Sequence, residues 1–119
     1  MAQLKGIDDN ALAAYNAPFP DDDHKQGVRQ FPNLVPGTPR TPSAEPNKEA
    51  WKILREWKKP FLCAFSDKDP IFSGVENSFY KLIPGCKDMP HVTIEDAGHF
   101  LQEDQPEACV DAILSIKDI

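Results

Sequence analysis

An aspartate and a histidine, each placed just after an apolar segment, are the residues of this chain best suited to chemistry. Asp69 follows the run Phe61–Phe65, and His99 follows the run His91–Ile94. If both runs are parallel strands, their carboxyl ends meet at one edge of a sheet and the two side chains emerge close together. A carboxylate that orients a histidine is the acid–base half of a nucleophile–acid–base triad. The pattern therefore predicts that Asp69 supports His99 as a general base.

Two alternatives to this pair stay open on spacing alone. Asp67 lies just past the end of the first apolar run and is the second candidate for the carboxylate. The other alternative is that both aspartates are ordinary loop residues and His99 only caps a helical turn, because such pairs about thirty residues apart are common by chance. Ser66 and Ser73 are poor candidates for a nucleophile, since Ser73 with Glu76 has the pattern of a helix capping box.

The elements around these residues alternate between helix and strand. Hydrophobic periodicity predicts helices within residues 1–16, 22–31, 47–57, 73–83 and 104–119, and strands at residues 61–65 and 91–94. The first strand is apolar throughout, as central strands buried on both faces are, whereas the second alternates and should lie nearer an edge. This order predicts an α/β fold with a parallel sheet.

Capping residues predict where the helices begin. Asp8 or Asp9 is expected to cap the first helix, Asn47 the third, and Asp104 with Glu107 the last. Gly98 is expected to allow the sharp turn that returns His99 over the end of the sheet.

Apolar stripes predict which helix faces are buried. The residues expected to face the core are Ala50, Ile53, Leu54 and Trp57 in the third helix, Val75, Phe79 and Leu82 in the fourth, and Val110, Ile113 and Leu114 in the last.

Two further segments each have two interpretations. Asp21, Asp22 and Asp23 could form a cation site, but an acidic helix N-terminus is the favoured interpretation because carboxylates offset the helix dipole there. Residues 31–46 contain five prolines and are either a flexible linker or an ordered extended segment. Phe31 and Val35 favour order, because free linkers rarely carry such side chains.

Composition limits the class of protein. A chain of 119 residues has room for one domain, and its net charge of −6 argues against nucleic acid and anionic membrane surfaces as partners. No apolar run of about 18 residues is present, and the first residues lack the apolar core of a signal peptide, so a cytoplasmic location is expected. Cys63, Cys86 and Cys109 have no spacing typical of a disulfide framework or a zinc site, and we expect them to be structural.

Three segments resemble the haloalkane dehalogenases of the α/β-hydrolase superfamily. D-P-I-F at residues 69–72 and D-A-G-H-F-L-Q-E-D-Q-P-E at residues 96–107 are similar to the C-terminal part of those enzymes. A-Y-N-A-P-F-P-D-D-D-H-K-Q-G-V-R-Q-F-P at residues 14–32 is similar to the end of their helical cap. The resemblance implies that residues 1–46 are a remnant of the cap and its proline-rich connection, and that residues 47–119 are the C-terminal part of the core.

The resemblance also implies a reaction. In this family an aspartate displaces a halide from a small halogenated alkane and forms an ester, which a histidine then hydrolyses by activating water. Asp69 matches the supporting acid and His99 the base, and neither a metal nor an organic cofactor is implied.

The nucleophile of that family lies in a G-x-D-x-G turn, and no two glycines of this chain are four residues apart. The chain is therefore expected to supply the acid and base only, with an N-terminal half joined through the exposed strand edge. The alternative is an inactive remnant or binding subunit that pairs with another chain, or self-associates, through that edge.

Overall fold

The structure is a computed structural model that describes residues 6–116, and it divides the chain into two compact units. One unit covers Ile7–Ile53 and the other contains residues 54–116. The predicted boundary between residues 46 and 47 lies close to this division, but the division itself falls near the end of a helix. Within the described residues, no helix is long and apolar enough to cross a membrane.

The first unit is helical. It contains α1 (Asp9–Asn16), a 3₁₀ turn followed by α2 (Gln26–Gln30), a second 3₁₀ turn at Phe31–Leu34, and most of α3 (Ala44–Leu54). Asp8 caps α1 as expected, because its Oδ1 accepts a hydrogen bond from the N–H of Ala11 at 2.7 Å. The part of the predicted first helix at residues 1–5 lies outside the described residues.

Helix α3 starts three residues earlier than its sequence predicts. Asn47 was expected to be the cap, but its N–H donates to the carbonyl of Ser43 at 3.0 Å, so Asn47 lies inside the helix. Pro46 misled the prediction, since proline is tolerated in the first turn of a helix, where no N–H donor is needed. The helix also ends at Leu54 instead of residue 57.

The second unit is built around two short parallel strands. β1 (Ala64–Ser66) pairs with β2 (Val92–Ile94) in the register Ala64 to Val92. Between them lie α4 (Glu76–Leu82) and a 3₁₀ turn at Pro84–Cys86, and after them come α5 (Leu101–Asp104) and α6 (Pro106–Ser115). The predicted alternation of helices with parallel strands is confirmed, although β1 is shorter than the apolar run that suggested it.

A small core lies between the sheet and α6. Ile94, Ala97 and Ala112 are buried there. The residues that pack around them are partly buried and apolar; they are Leu62, Ala64, Val92, Leu101 and Ala108.

The apolar stripes of two helices do not face the core. In α6, Val110, Ile113 and Leu114 are exposed, because Ala108 and Ala112, four residues apart, form the face toward the sheet. In α3, Ala50 and Ile53 are exposed as well. Those assignments were wrong for the described structure, and they leave large apolar side chains uncovered.

Both predicted capping boxes are absent. No side-chain hydrogen bond caps α4, whose N-cap is Val75, because Gly74 adopts a positive φ of 85° and delays the helix. The N-cap of α6 is Gln105, again without a side-chain bond, and Pro106 occupies the first turn. Ser73 and Asp104 are therefore available for other contacts.

Candidate active site

The predicted acid and base are in contact. Nδ1 of His99 lies 3.1 Å from Oδ2 of Asp69, across thirty residues of chain. A carboxylate is an acceptor, so His99 must donate through Nδ1–H and keep Nε2 as the basic nitrogen. Among residues 6–116 no group is hydrogen-bonded to Nε2. This is the tautomer that a general base requires when a carboxylate supports it.

The ends of both strands position the pair. Asp69 follows β1 by three residues, and its Oδ1 accepts the N–H of Ile71 at 2.7 Å, which fixes the carboxylate in the turn at Pro70. His99 follows the end of β2 by five residues. The N–H of Lys68 donates to the carbonyl of Ala97 at 3.1 Å and thereby ties the two loops together.

The Asp69 carboxylate is buried but stays acidic. Burial by itself raises the pKa of Asp69, since it disfavours the charged form. The N–H of Ile71, the hydrogen bond from His99 and the N–H of Phe72 outweigh this, so the pKa lies below its ordinary value. Asp69 is therefore ionised at neutral pH and can stabilise an imidazolium at His99.

Aromatic rings flank the imidazole. The ring centroid of Phe72 is 5.3 Å from that of His99, and the ring of Phe100 is 5.1 Å away in an edge-on arrangement. These contacts restrict the rotation of the imidazole, whose side chain is 24% exposed. Neither phenylalanine was predicted as part of the site, although D-P-I-F and H-F place them within three residues of Asp69 and His99.

Asp67, the second candidate for the acid, contacts a different group. Its Oδ1 accepts the N–H of Ala97 at 3.2 Å, and it makes no hydrogen bond to His99. Burial raises the pKa of Asp67, but the N–H groups of Ala97 and Asp96 and the nearby Lys68 lower it overall. The geometry therefore favours Asp69 as the acid.

The serines near the strand end are separate from the pair. Ser66 and Ser73 line a polar cleft of about 290 Å³ together with Glu76 and Tyr80. Among the described residues, neither serine is hydrogen-bonded to His99. A serine nucleophile in this chain has no support from the geometry.

The acidic cluster in the first unit behaves as a helix start. Oδ1 of Asp21 accepts the N–H groups of Asp23 and His24, and it lies 2.7 Å from Nδ1 of His24. In residues 6–116 no group of three side chains suited to a metal ion is found.

The three cysteines are free thiols. Burial, with a smaller effect of Cys86, raises the pKa of Cys63 to about 12.

Proteins named haloalkane dehalogenase match most of this chain. That of Psychrobacter cryohalolentis is 55% identical over 96 residues, which are 81% of this chain and 32% of that protein. Those of Mycolicibacterium paratuberculosis and Mycobacterium marinum are 40% and 42% identical over 94% and 87% of this chain, and over 37% and 34% of their own lengths. No family model matches the chain.

The chain is related in sequence to haloalkane dehalogenases. The resemblance found in the sequence is thereby confirmed. The chain spans about a third of the length of these haloalkane dehalogenases, as expected for the C-terminal part of such a protein.

Proposed function

We propose that this chain is the C-terminal part of a hydrolase of the haloalkane dehalogenase type, with the α/β-hydrolase fold. The observation that carries the proposal is the contact between Asp69 and His99 at the ends of two parallel strands. Relatives that are 40–55% identical over most of the chain support it. Residues 1–46 would then derive from the helical cap and residues 47–119 from the core.

In the proposed reaction, the chain supplies the acid and base and an N-terminal region supplies the nucleophile. A carboxylate of that region attacks the carbon that bears the halogen, and the carbon–halogen bond breaks to release halide and form an alkyl ester. Nε2 of His99 then takes a proton from water while the water oxygen attacks the ester carbonyl, and Asp69 stabilises the imidazolium. The tetrahedral intermediate then breaks its bond to the alkoxide, which takes the proton from the imidazolium to leave as the alcohol, and the carboxyl group of the nucleophile loses its proton to solvent and becomes a carboxylate again. The proposed substrate is a small halogenated alkane.

The test is to replace the matched segment of the Psychrobacter cryohalolentis relative with this chain, which gives what we call the joined protein. Halide release from short bromoalkanes and chloroalkanes is then measured. We expect multiple turnovers in the joined protein. We expect His99→Ala to release one equivalent of halide and then stop, because the ester is not hydrolysed. A folded joined protein that releases no halide would exclude the proposed function.

One observation favours a second candidate, a binding subunit without activity. β1 pairs only with β2 in the described two-stranded sheet, so its other edge presents unpaired backbone groups to an incoming strand. Under this alternative, the N-terminal region of the relative, added as a separate chain, binds this chain but gives no halide release. Under the proposed function the same mixture releases halide.

A further inference from the structure

The two residues before His99 are held by side chains from outside their loop. Oδ2 of Asp104 accepts the N–H of Gly98 at 2.8 Å, and Oδ1 of Asp67 accepts the N–H of Ala97 at 3.2 Å. Asp104 comes from the end of α5, which begins two residues after His99, so its side chain folds back on the loop from the far side. The backbone leading to the base is thus fixed from both directions along the chain.

Because Asp104 is buried, losing its hydrogen bond to Gly98 would be costly. Asp104 is only 1% exposed, and Gly98 is buried as well. A buried carboxylate is costly unless it accepts hydrogen bonds, and a buried N–H without an acceptor is costly too. A hydrogen bond to an ionised acceptor is also stronger than one between neutral groups. The pair therefore tolerates little displacement of the loop.

Two further hydrogen bonds, one from the backbone and one from a side chain, join residues on either side of the loop. The N–H of Asp104 donates to the carbonyl of Phe100 at 3.3 Å, and Nε2 of Gln105 donates to the carbonyl of Asp96 at 3.5 Å. Asp96 has a positive φ of 55°, which lies in the left-handed region. The turn that was predicted at Gly98 therefore also contains an aspartate in the left-handed conformation. Aspartate adopts this conformation at lower cost than most residues.

We propose that Asp104 is a positioning residue for His99. By holding the Gly98 N–H, Asp104 sets the backbone from which the imidazole reaches Asp69 at 3.1 Å. Asp104 does not touch the reacting atoms, and it acts only through the loop. The inference rests on the proposed function, since it assigns a role within the same site. Loss of the Asp104 acceptor would move the base without removing it.

The test compares three variants of the joined protein. Asp104→Leu keeps the branched shape in a larger side chain and removes the acceptor, whereas Asp104→Asn keeps an oxygen that can accept the Gly98 N–H. Ile83→Ala is the stability control, because Ile83 is 1% exposed and its backbone hydrogen bonds join Phe79 and Cys86, which lie outside the loop. Multiple turnover, the first equivalent of halide and the Nδ1–H resonance of His99 are measured in each.

We expect Asp104→Leu to keep the first equivalent of halide and to lower later turnover by about 100-fold, because small displacements of a catalytic group have effects of that size. The His99 Nδ1–H resonance should shift or disappear. Asp104→Asn should restore both measurements to near the unmutated values, and Ile83→Ala should leave the resonance in place. Equal turnover and an unmoved resonance in Asp104→Leu would overturn the proposal, as would the same loss in Ile83→Ala.

A second measurement does not depend on the folding of Asp104→Leu. In Asp104→Asn the acceptor is neutral and the bond weaker, so the Gly98 amide should exchange with solvent about fivefold faster while the Ile94 amide is unchanged. An unchanged Gly98 exchange rate would overturn the proposal. The resonance and exchange measurements need no activity, so they judge Asp104 even if the joined protein releases no halide and the proposed function fails.

Discussion

Among single residues, the candidate site depends on two neighbouring carboxylates, Asp67 and Asp69, that make different contacts. Asp69 and Asp67 are two residues apart in the same loop, yet Asp69 faces the imidazole while Asp67 faces the backbone of Ala97. Strand alternation would place residues two apart on the same side, so the split arises from the turn after β1, where both residues lie beyond the end of the strand. Asp69 is also the buried one of the two. Burial and orientation together favour Asp69 as the support for His99.

Asp69→Asn should reduce turnover of the joined protein by roughly 1,000-fold or more, as amide replacement does in other carboxylate–histidine pairs. The amide cannot stabilise the imidazolium and can present an N–H to Nδ1, which favours the wrong tautomer. Halide release over many turnovers is the measurement. Asp67→Asn is the matched control and should retain at least about a tenth of the activity. If Asp67→Asn were the more damaging change, Asp67 would be the acid.

Asp69 should also contribute to stability in a pH-dependent way. Its folded pKa lies below the ordinary value of 3.8, so the folded state favours the ionised carboxylate. This stabilisation is fully present above the pKa of the unfolded chain and is lost as the pH falls through the folded pKa. Asp69→Asn should therefore destabilise the joined protein near neutral pH and show a shallower loss of stability below about pH 4.

The measurement is the urea midpoint of the joined protein from pH 7 down to pH 3. Asp111→Asn is the control, because Asp111 is an exposed aspartate on α6. An Asp69→Asn profile parallel to the unmutated one would show that the contacts of the carboxylate add nothing to stability.

At the scale of elements, the sequence predicted the order of helices and strands better than their ends. The spacing of apolar residues placed α4, β2 and α6 within a few residues of their observed ends. This spacing differs between helices and strands, so it can be read directly from the sequence. One capping pattern failed because another contact used the same side chain. Asp104 fits a capping box in the sequence, but the buried N–H of Gly98 takes its carboxylate. Gly98 lies six residues before Asp104, so a capping-box pattern, which considers only the residues that follow the cap, does not include it.

His91 shows a second tertiary contact that the sequence did not reveal. The N–H of Cys63 donates to Nδ1 of His91 at 3.1 Å, and Nε2 of His91 lies 2.9 Å from the carbonyl of Cys86. The ring also stacks on Tyr80, with centroids 4.4 Å apart. The imidazole thereby extends the ladder between the strands, next to the backbone bond from Val92 to Cys63. The ring thus joins the residues that precede both strands, beyond which Asp69 and His99 lie.

His91→Ala should destabilise the joined protein by about 1–3 kcal/mol, because the buried Cys63 N–H loses its acceptor. His91→Phe keeps a ring against Tyr80 and should recover only part of the loss. Urea unfolding and exchange of the Cys63 amide are the measurements. His24→Ala is a matched control with an exposed histidine, whose surface contact with Asp21 should add little to stability. Equal stability of His91→Phe and the unmutated protein would mean that the ring contact alone matters.

At the scale of the whole molecule, the chain carries more apolar surface than its small core covers. In the first unit, Phe31 is 75% exposed and Val35 60% exposed, so the proline-rich segment leaves its apolar side chains uncovered. In the second unit, Ile113 is 66% exposed on α6. Contiguous apolar surface of this kind normally marks an interface. Periodicity identified the stripe on α6 as apolar, but it could not say that the described residues leave this stripe exposed.

The 119-residue chain by itself should therefore self-associate despite its net charge of −6. We expect a concentration-dependent mass above that of the monomer in sedimentation velocity, and no cooperative thermal unfolding of a monomer. Ile113→Lys should reduce the association, because it places a charge at the most exposed position of the α6 stripe, whereas Lys81→Ala on the exposed side of α4 should not. The joined protein should sediment as a monomer, because the N-terminal region of the relative would cover the same faces. A sharp monomer peak for the isolated chain, with cooperative unfolding, would show instead that its own core is sufficient and that the free edge of β1 needs no partner.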